Sequence, residues 1–277
     1  MTDAALQEIV ALLGCPAAGN PAQYLFERAI EAAGLDWRFL TLDIAPEKIA
    51  AAIEGVAAMG FRGCVVSGPL REAAATLVPT LTPSATFSGA VNLVDRQPSG
   101  LVGHMTEGRG LMEALRAHVD PATAHVLILG TGVEARAAAL ELALTHCPQI
   151  VICDRDAERA ASLVDAVNGL QASPAVAIPW ASAIDIPAEV GVVISTLPPE
   201  GGRPAAEFTG LRSDMVVADV PLVAQPSPLV ALASGVGACA IDGLEIHAAR
   251  MAIDFNTWTG IEPDTEMLRE ALDEYMS

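Results

Sequence analysis

The chain is poor in positive charge. Fifteen arginines and lysines stand against 34 acids, a formal net charge of −19, and the only lysine is Lys48. Such a field repels phosphate backbones and anionic lipid headgroups, so neither nucleic acid nor a membrane surface is an expected partner. Long apolar runs are absent too: none approaches the ~18 residues a membrane span needs. The opening MTDAALQEIV has no basic stretch followed by an apolar core and does not read as a secretion signal. Cysteine is sparse: Cys15, Cys64, Cys147, Cys153 and Cys239 are odd in number and form no Cys-x-x-Cys. They read as reduced core residues of a cytoplasmic protein. The histidines lack zinc-ligand spacing, and no metal site is expected.

What is present is apolar: 52% of the 277 residues are hydrophobic, enough to build one large core or two modest ones. The most informative stretch runs from His125 to Arg155. Val126 to Leu129 reads as a buried strand, the turn Gly130-Thr131-Gly132 follows, and an alanine-rich helix opens near Val133. A second apolar strand, Ile150 to Cys153, ends on Asp154, 24 positions after Gly130. This is a βαβ unit with the spacing of a dinucleotide site. Gly130 permits the tight turn, Gly132 leaves room for a pyrophosphate against the backbone, and Ala135 packs the helix closely on the strand. Asp154 is placed to accept hydrogen bonds from a ribose 2′-hydroxyl and to repel a 2′-phosphate, which favours NAD; Arg155 beside it leaves NADP open.

Along the chain, residues 1–13 have the spacing of an amphipathic helix. A helix from Tyr24 to Ala33, a strand from Asp36 to Leu42, a helix from Glu47 to Met59 and a strand from Phe61 to Ser67 make the first hundred residues an α/β unit. A Pro/Ser/Thr-rich connection, Val78 to Phe87, precedes two short strands, Gly89–Val94 and Gly100–Val102, joined by a turn over Asp95–Ser99. Gly108 to His118 reads as helix. Strands at Ala175–Ile178, Val190–Ser195, Met215–Asp219 and Gly237–Ile241, with helices between them, complete a doubly wound sheet, and the last 35 residues are helical. The expected architecture is α/β: a unit at 1–106 completed by 243–277, and a dinucleotide-binding domain at 107–242.

In this order and spacing the chain resembles the shikimate dehydrogenase family. The resemblance rests on Gly14-Cys15-Pro16, Gly60-Phe61-Arg62-Gly63, Gly89-Ala90-Val91-Asn92, Gly103-x-x-Thr106-Glu107-Gly108, the turn at Gly130, Ser227-Pro228-Leu229, Asp242-Gly243-Leu244 and Phe255-x-x-Trp258-Thr259-Gly260. It implies a substrate domain formed by the N-terminal unit and the C-terminal helices, an inserted Rossmann-type domain, and a cleft between them. It also implies hydride transfer between NAD(P) and the ring alcohol of a small anionic substrate, within aromatic amino acid biosynthesis. Thr196, with Pro198, and Gly243 fall in the family's cofactor-contacting segments.

The resemblance fails where a lysine–aspartate pair handles the proton in the family. Arg71 stands at the lysine and Glu107 at the aspartate. Arginine holds its proton at any working pH, whereas a buried lysine can release one. The family's two carboxylate-holding serines correspond to Asn20 and Ala22, its tyrosine to Leu222, and its C-terminal glutamine to Arg250. Asn92 is kept, and Ser67 preserves a hydroxyl. Arg71 and Arg250 are expected either to clamp an anionic ligand beside Glu107, or to leave Arg71 paired with Glu107 across a closed cleft. Arg71 and Glu107 are thus the catalytic candidates, with Asn20, Ser67, Asn92 and Arg250 around the substrate. Three functions compete: a dehydrogenase for a cyclic hydroxy or keto acid that need not be shikimate, a cofactor-binding pseudoenzyme that senses nucleotide, and a folate-linked one-carbon dehydrogenase, against which Trp258-Thr259-Gly260 argues. Monomer and homodimer are both compatible with the sequence.

Overall fold

The segment EIVALLG is apolar at nearly every position, and a strand buried on both faces is the element that such a run satisfies. In the computed structural model, which describes residues 7–223 and 225–277, it forms β1 (Glu8–Gly14). The helix expected over residues 1–13 is therefore corrected to a strand; residues 1–6 lie outside the described residues. A short apolar run suits a buried strand and one helix face equally, and here the parallel neighbours of β1 decide.

The chain divides into two compact units, residues 1–106 with 251–275, and residues 107–250 with the last two. The first continues with α1 (Ala22–Ala32), β2 (Trp37–Asp43), α2 (Ile49–Ala58), β3 (Gly63–Val66), α3 (Leu70–Ala75), β4 (Thr80–Leu81), α4 (Pro83–Ser88), β5 (Leu93–Gln97) and β6 (Gly100–His104). Its mixed sheet has the order β2-β1-β3-β5-β6-β4. The Val78–Phe87 connection is not structureless: Thr82 caps α4 by accepting the Ala85 amide, and Gly89 ends the helix at φ 65°. Residues 89–92 are not strand, and Asp95–Gln97 belongs to β5, so the β5–β6 hairpin closes on Pro98-Ser99 alone, with Gln97 opposite Gly100.

The second unit runs through α5 (Glu107–Arg116), β7 (His125–Leu129), α6 (Val133–Leu144), β8 (Gln149–Cys153), α7 (Ala157–Gly169), β9 (Ala175–Ala177), β10 (Ala183–Asp185), β11 (Val190–Ser195), β12 (Glu207–Thr209), β13 (Val216–Asp219), α8 (Pro228–Gly235) and β14 (Cys239–Ile241). Six parallel strands stand in the order β14-β13-β11-β7-β8-β9. Val126–Leu129, Ile150–Cys153 and Val192–Ile194 are buried along their length, as central parallel strands require. The helices expected on either side of β11 are absent. Two short strands, β10 and β12, pair in parallel there instead, and Ile184, Ile186 and Ala206 pack on the core.

Two helices end the chain, α9 (Gly243–Thr259) and α10 (Thr265–Met276). The expected return at residue 243 falls at the start of α9; the division into units comes between Arg250 and Met251, inside an unbroken helix. Trp258 of α9 donates its indole N–H to the Val94 carbonyl at 3.1 Å and packs 5.2 Å from the Phe26 ring. Gly63 is obligatory beneath it, since a Cβ there would lie 2.1 Å from the Val94 oxygen and 2.4 Å from the Trp258 nitrogen. No helix among the described residues is long and apolar enough to cross a membrane.

Gly108 in α5 faces α6 so closely that an added Cβ would lie 2.4 Å from the Ala137 carbonyl oxygen. Gly108→Ala is expected to destabilise by about 1–3 kcal/mol through overpacking, against alanine's better helix propensity. A lower urea midpoint than wild type at unchanged slope verifies it; a higher midpoint refutes it.

Candidate functional site

In the second unit, β7 hands the chain to α6 through Gly130, at φ 101°. A side chain at Gly130 would meet Thr196 Oγ1 at 2.4 Å, so this glycine answers to both backbone and packing. Gly132, the N-cap of α6, is different: the nearest atom to an added Cβ is Glu134 Oε2 at 3.6 Å, and no side chain caps the helix there. Space and uncapped amide donors therefore coincide at the positive end of a 12-residue helix, a fitting cradle for a pyrophosphate. Ala135 is fully buried. Glu134 adds a negative charge to the same first turn.

Asp154 follows β8. Its Oδ2 accepts from Thr131 Oγ1 at 2.9 Å and its Oδ1 from the Asp156 amide at 2.8 Å, which fixes the carboxylate beside the glycine turn. Arg155 turns toward the 200–205 loop: Nη1 donates to Glu200 Oε1 at 2.6 Å, Nη2 to the Ala205 carbonyl at 3.0 Å, and the guanidinium stands 5.0 Å from the Trp180 ring centre. The Glu200 hydrogen bond raises the Arg155 pKa, and Arg155 in return lowers that of Glu200. Thr196 after β11 donates its hydroxyl to the Leu129 carbonyl at 2.9 Å, joining the ends of two neighbouring strands. Gly243 opens α9 where a Cβ would lie 2.4 Å from the Pro221 oxygen.

Glu107 and Arg250 come together. Arg250 Nε lies 3.6 Å from Glu107 Oε2, with their side chains 9% and 2% exposed. A charge so buried is tolerable only beside its opposite. Gly110 makes room for this pair, because a Cβ there would fall within 2.5 Å of Arg250 Cβ. Another buried acid, Asp219 at the end of β13, accepts from Ser227 Oγ at 2.5 Å. Burial raises its pKa, opposed by the Ser227 and Ser195 hydroxyls.

In the first unit, Asn20 Oδ1 accepts from the Ala22 amide at 3.0 Å and so steadies the entry to α1. Ser67 caps the end of β3, with its Oγ 3.0 Å from where a Gly14 side chain would begin. Arg71 on α3 is half-buried and its Nε donates to the Val66 carbonyl at 3.3 Å. Asn92 is fully buried and tied at both ends of its amide: Nδ2 donates to Thr106 Oγ1 and Oδ1 accepts from the Thr106 amide, each at 2.7 Å. Thr106 Oγ1 then donates to Asp254 Oδ1 at 2.6 Å. Thr106 stands in the sequence motif without an assigned role, and Asp254 goes unremarked there, because nothing in a linear pattern announces a contact across 148 positions. Among the described residues no cluster of histidine, cysteine and acids has metal-binding geometry.

Thr106→Val, nearly isosteric, removes the donor to a buried carboxylate and the acceptor for a buried amide. A loss of about 1–3 kcal/mol in urea unfolding is expected, the scale for one stranded buried group, here the Asn92 amide, with Thr106→Ser close to wild type. Equal stability of all three proteins contradicts this account.

The shikimate dehydrogenase substrate binding domain model matches residues 12–94. Shikimate dehydrogenase (NADP(+)) of Acidiphilium cryptum is 34% identical over 260 residues, covering 92% of this chain and 91% of its own. The enzyme of the same name from Geobacter metallireducens is 31% identical over 272 residues, 94% of each chain. The crystal structure of ligand-free 5-ketofructose reductase of Gluconobacter sp. strain CHM43 superposes with a TM-score of 0.92 at 28% identity, over 97% of this chain and 99% of that one. With its two α/β units and identity above 30% across more than nine-tenths of its length, the chain belongs to the shikimate dehydrogenase family.

Proposed function

We propose that this protein is an NAD(P)-dependent oxidoreductase acting on the ring alcohol, or the matching ketone, of a polyhydroxylated cyclic acid that need not be shikimate, with NAD the preferred cofactor. Family membership supports the reaction class, and the turn open at Gly132 beside a fixed Asp154 is the observation that carries the reading. The nicotinamide, when bound, supplies or accepts the hydride. Gly130, Gly132 and Ala135 would hold the pyrophosphate segment, Asp154 and Arg155 would meet the adenosine end, and Thr196 and Gly243 are the further candidate contacts. Asp154 presents a carboxylate suited to a ribose 2′-hydroxyl. Arg155 is already engaged by Glu200, Ala205 and Trp180, so it is a less available partner for a 2′-phosphate. Two relatives carry NADP(+) in their names, and the preference argued here departs from theirs.

On the substrate side, Arg71 is the candidate to orient and polarise a substrate oxygen or carboxylate, with Asn20, Ser67 and Asn92 as neighbours in the same unit. A permanently protonated guanidinium donates hydrogen bonds but hands over no proton. The proton that accompanies the hydride must then pass through another group or water. Glu107 remains the acid proposed for that part, with Arg250 as its buried counterion. The arginine in the lysine's place favours a second reading, a cofactor-binding protein without turnover.

Two experiments test these statements. Titration with NAD and NADP is expected to show tighter NAD binding by about tenfold, about 1.4 kcal/mol, and Asp154→Ala is expected to narrow the gap. Tighter NADP binding by wild type overturns the Asp154 argument. Shikimate, quinate and the neutral 5-ketofructose, each with both cofactors, are expected to give turnover with at least one acid. Arg71→Ala should then lower kcat/KM by about 10²–10³, the scale for losing a donor at a developing oxyanion. No turnover while cofactor still binds removes shikimate and quinate as substrates and favours the second reading or another ligand.

A further inference from the structure

Away from the glycine turn, the second unit carries a three-residue constellation that hydride transfer does not use. Cys239, the first residue of β14, is exposed. Its Sγ lies 3.4 Å from His118 Nδ1, and His118 Nε2 lies 2.9 Å from Glu245 Oε1. Three elements converge to make this line: the turn after α5, the edge strand β14 and the first turn of α9. Strand register sets Cys239 level with Val126, near the start of β7, whereas Gly130 follows that strand's other end.

The geometry selects one tautomer. Glu245 accepts from Nε2–H, which leaves the Nδ1 lone pair facing the thiol. A nucleophile, a base in hydrogen-bond reach, and a carboxylate that orients the base are the arrangement by which a weak nucleophile is activated. The other cysteines give the contrast. Burial pushes the Cys64 thiol up to about 12, and burial with the Asp154 charge pushes Cys153 up to about 11; neither has an imidazole beside it among the described contacts. Cys239 also lies above its ordinary value, through desolvation and the Glu245 charge. The resting group is therefore the thiol, and His118 takes the proton as the sulfur attacks.

We propose that Cys239 is a modification site: a thiol activated by His118, with Glu245 as the positioning residue, that reacts with small uncharged hydroperoxides. The strongly negative surface disfavours anionic oxidants, while a neutral peroxide pays no electrostatic penalty. Sulfur attacks one peroxide oxygen as the S–H proton passes to Nδ1. The O–O bond breaks, and the proton returns to the departing oxygen. For hydrogen peroxide the products are one sulfenic acid and one water; sulfur is oxidised by two electrons and the peroxide reduced by two.

The test treats the full-length protein with hydrogen peroxide and a dimedone-type trap, and follows each cysteine by peptide mass spectrometry. Half-buried Cys15 serves as the internal reference. Trapping at Cys239 is expected to exceed that at Cys15 by about tenfold or more, below the ~10²–10⁴ that a well-placed base contributes. His118→Asn should bring Cys239 to within about threefold of Cys15, and the isosteric Glu245→Gln should fall between the two, both variants keeping the wild-type urea midpoint. Should either variant unfold, the wild-type ratio alone decides. Equal trapping at Cys239 and Cys15, or a folded His118→Asn protein as reactive as wild type, overturns the proposal.

Discussion

One buried hydroxyl ties the two sequence pieces of the first unit to each other. Thr106 accepts from Asn92 and donates to Asp254, so β5–β6 and the C-terminal half of α9 meet through a chain in which every member is buried. A buried carboxyl group is costly unless it is partnered, and the Thr106 hydroxyl is a donor to that of Asp254. The chain leaves this unit after Thr106 and returns at Met251, so that donor comes from the far side of the other unit in sequence. The Trp258–Val94 hydrogen bond, set over the bare Cα of Gly63, makes the same join with an apolar side chain. Between them these contacts keep the end of the chain with its beginning.

The second unit obeys a simpler constraint. A parallel sheet buries both faces of its central strands, and ligands meet it where strands pass to helices. Gly130 and Gly132 have different duties within three residues. The first is glycine because Thr196 leaves no volume and the backbone is left-handed; the second keeps a space open at uncapped amides. Asp154 is then held against the turn through Thr131.

Charge is managed by pairing. Glu107 and Arg250 are buried together, and neither would be tolerated alone at that depth. Arg250 Nε stands 3.6 Å from Glu107 Oε2 inside the second unit. Cys239 departs from the expectation that the cysteines are core residues: three are buried, Cys15 is intermediate and Cys239 is exposed, because an edge strand has an uncovered side.

Sequence alone determined the class of fold, the βαβ unit and its glycine turn, and the position of Asp154. Those features are local: apolar runs, glycines and one acid within about thirty consecutive residues. It also exposed the arginine at position 71, since a change of residue type is legible without coordinates. Tertiary structure decided the rest. Periodicity could not tell β1 from an amphipathic helix, because a strand covered on both faces has no polar alternation to show. Composition could not tell the Val78–Phe87 segment from a loop, because Thr82 and Gly89 act as caps only when a helix lies between them. The partners of Asn92, Glu107 and Cys239 lie from 14 to 148 positions away along their networks, and only folding sets such groups against each other.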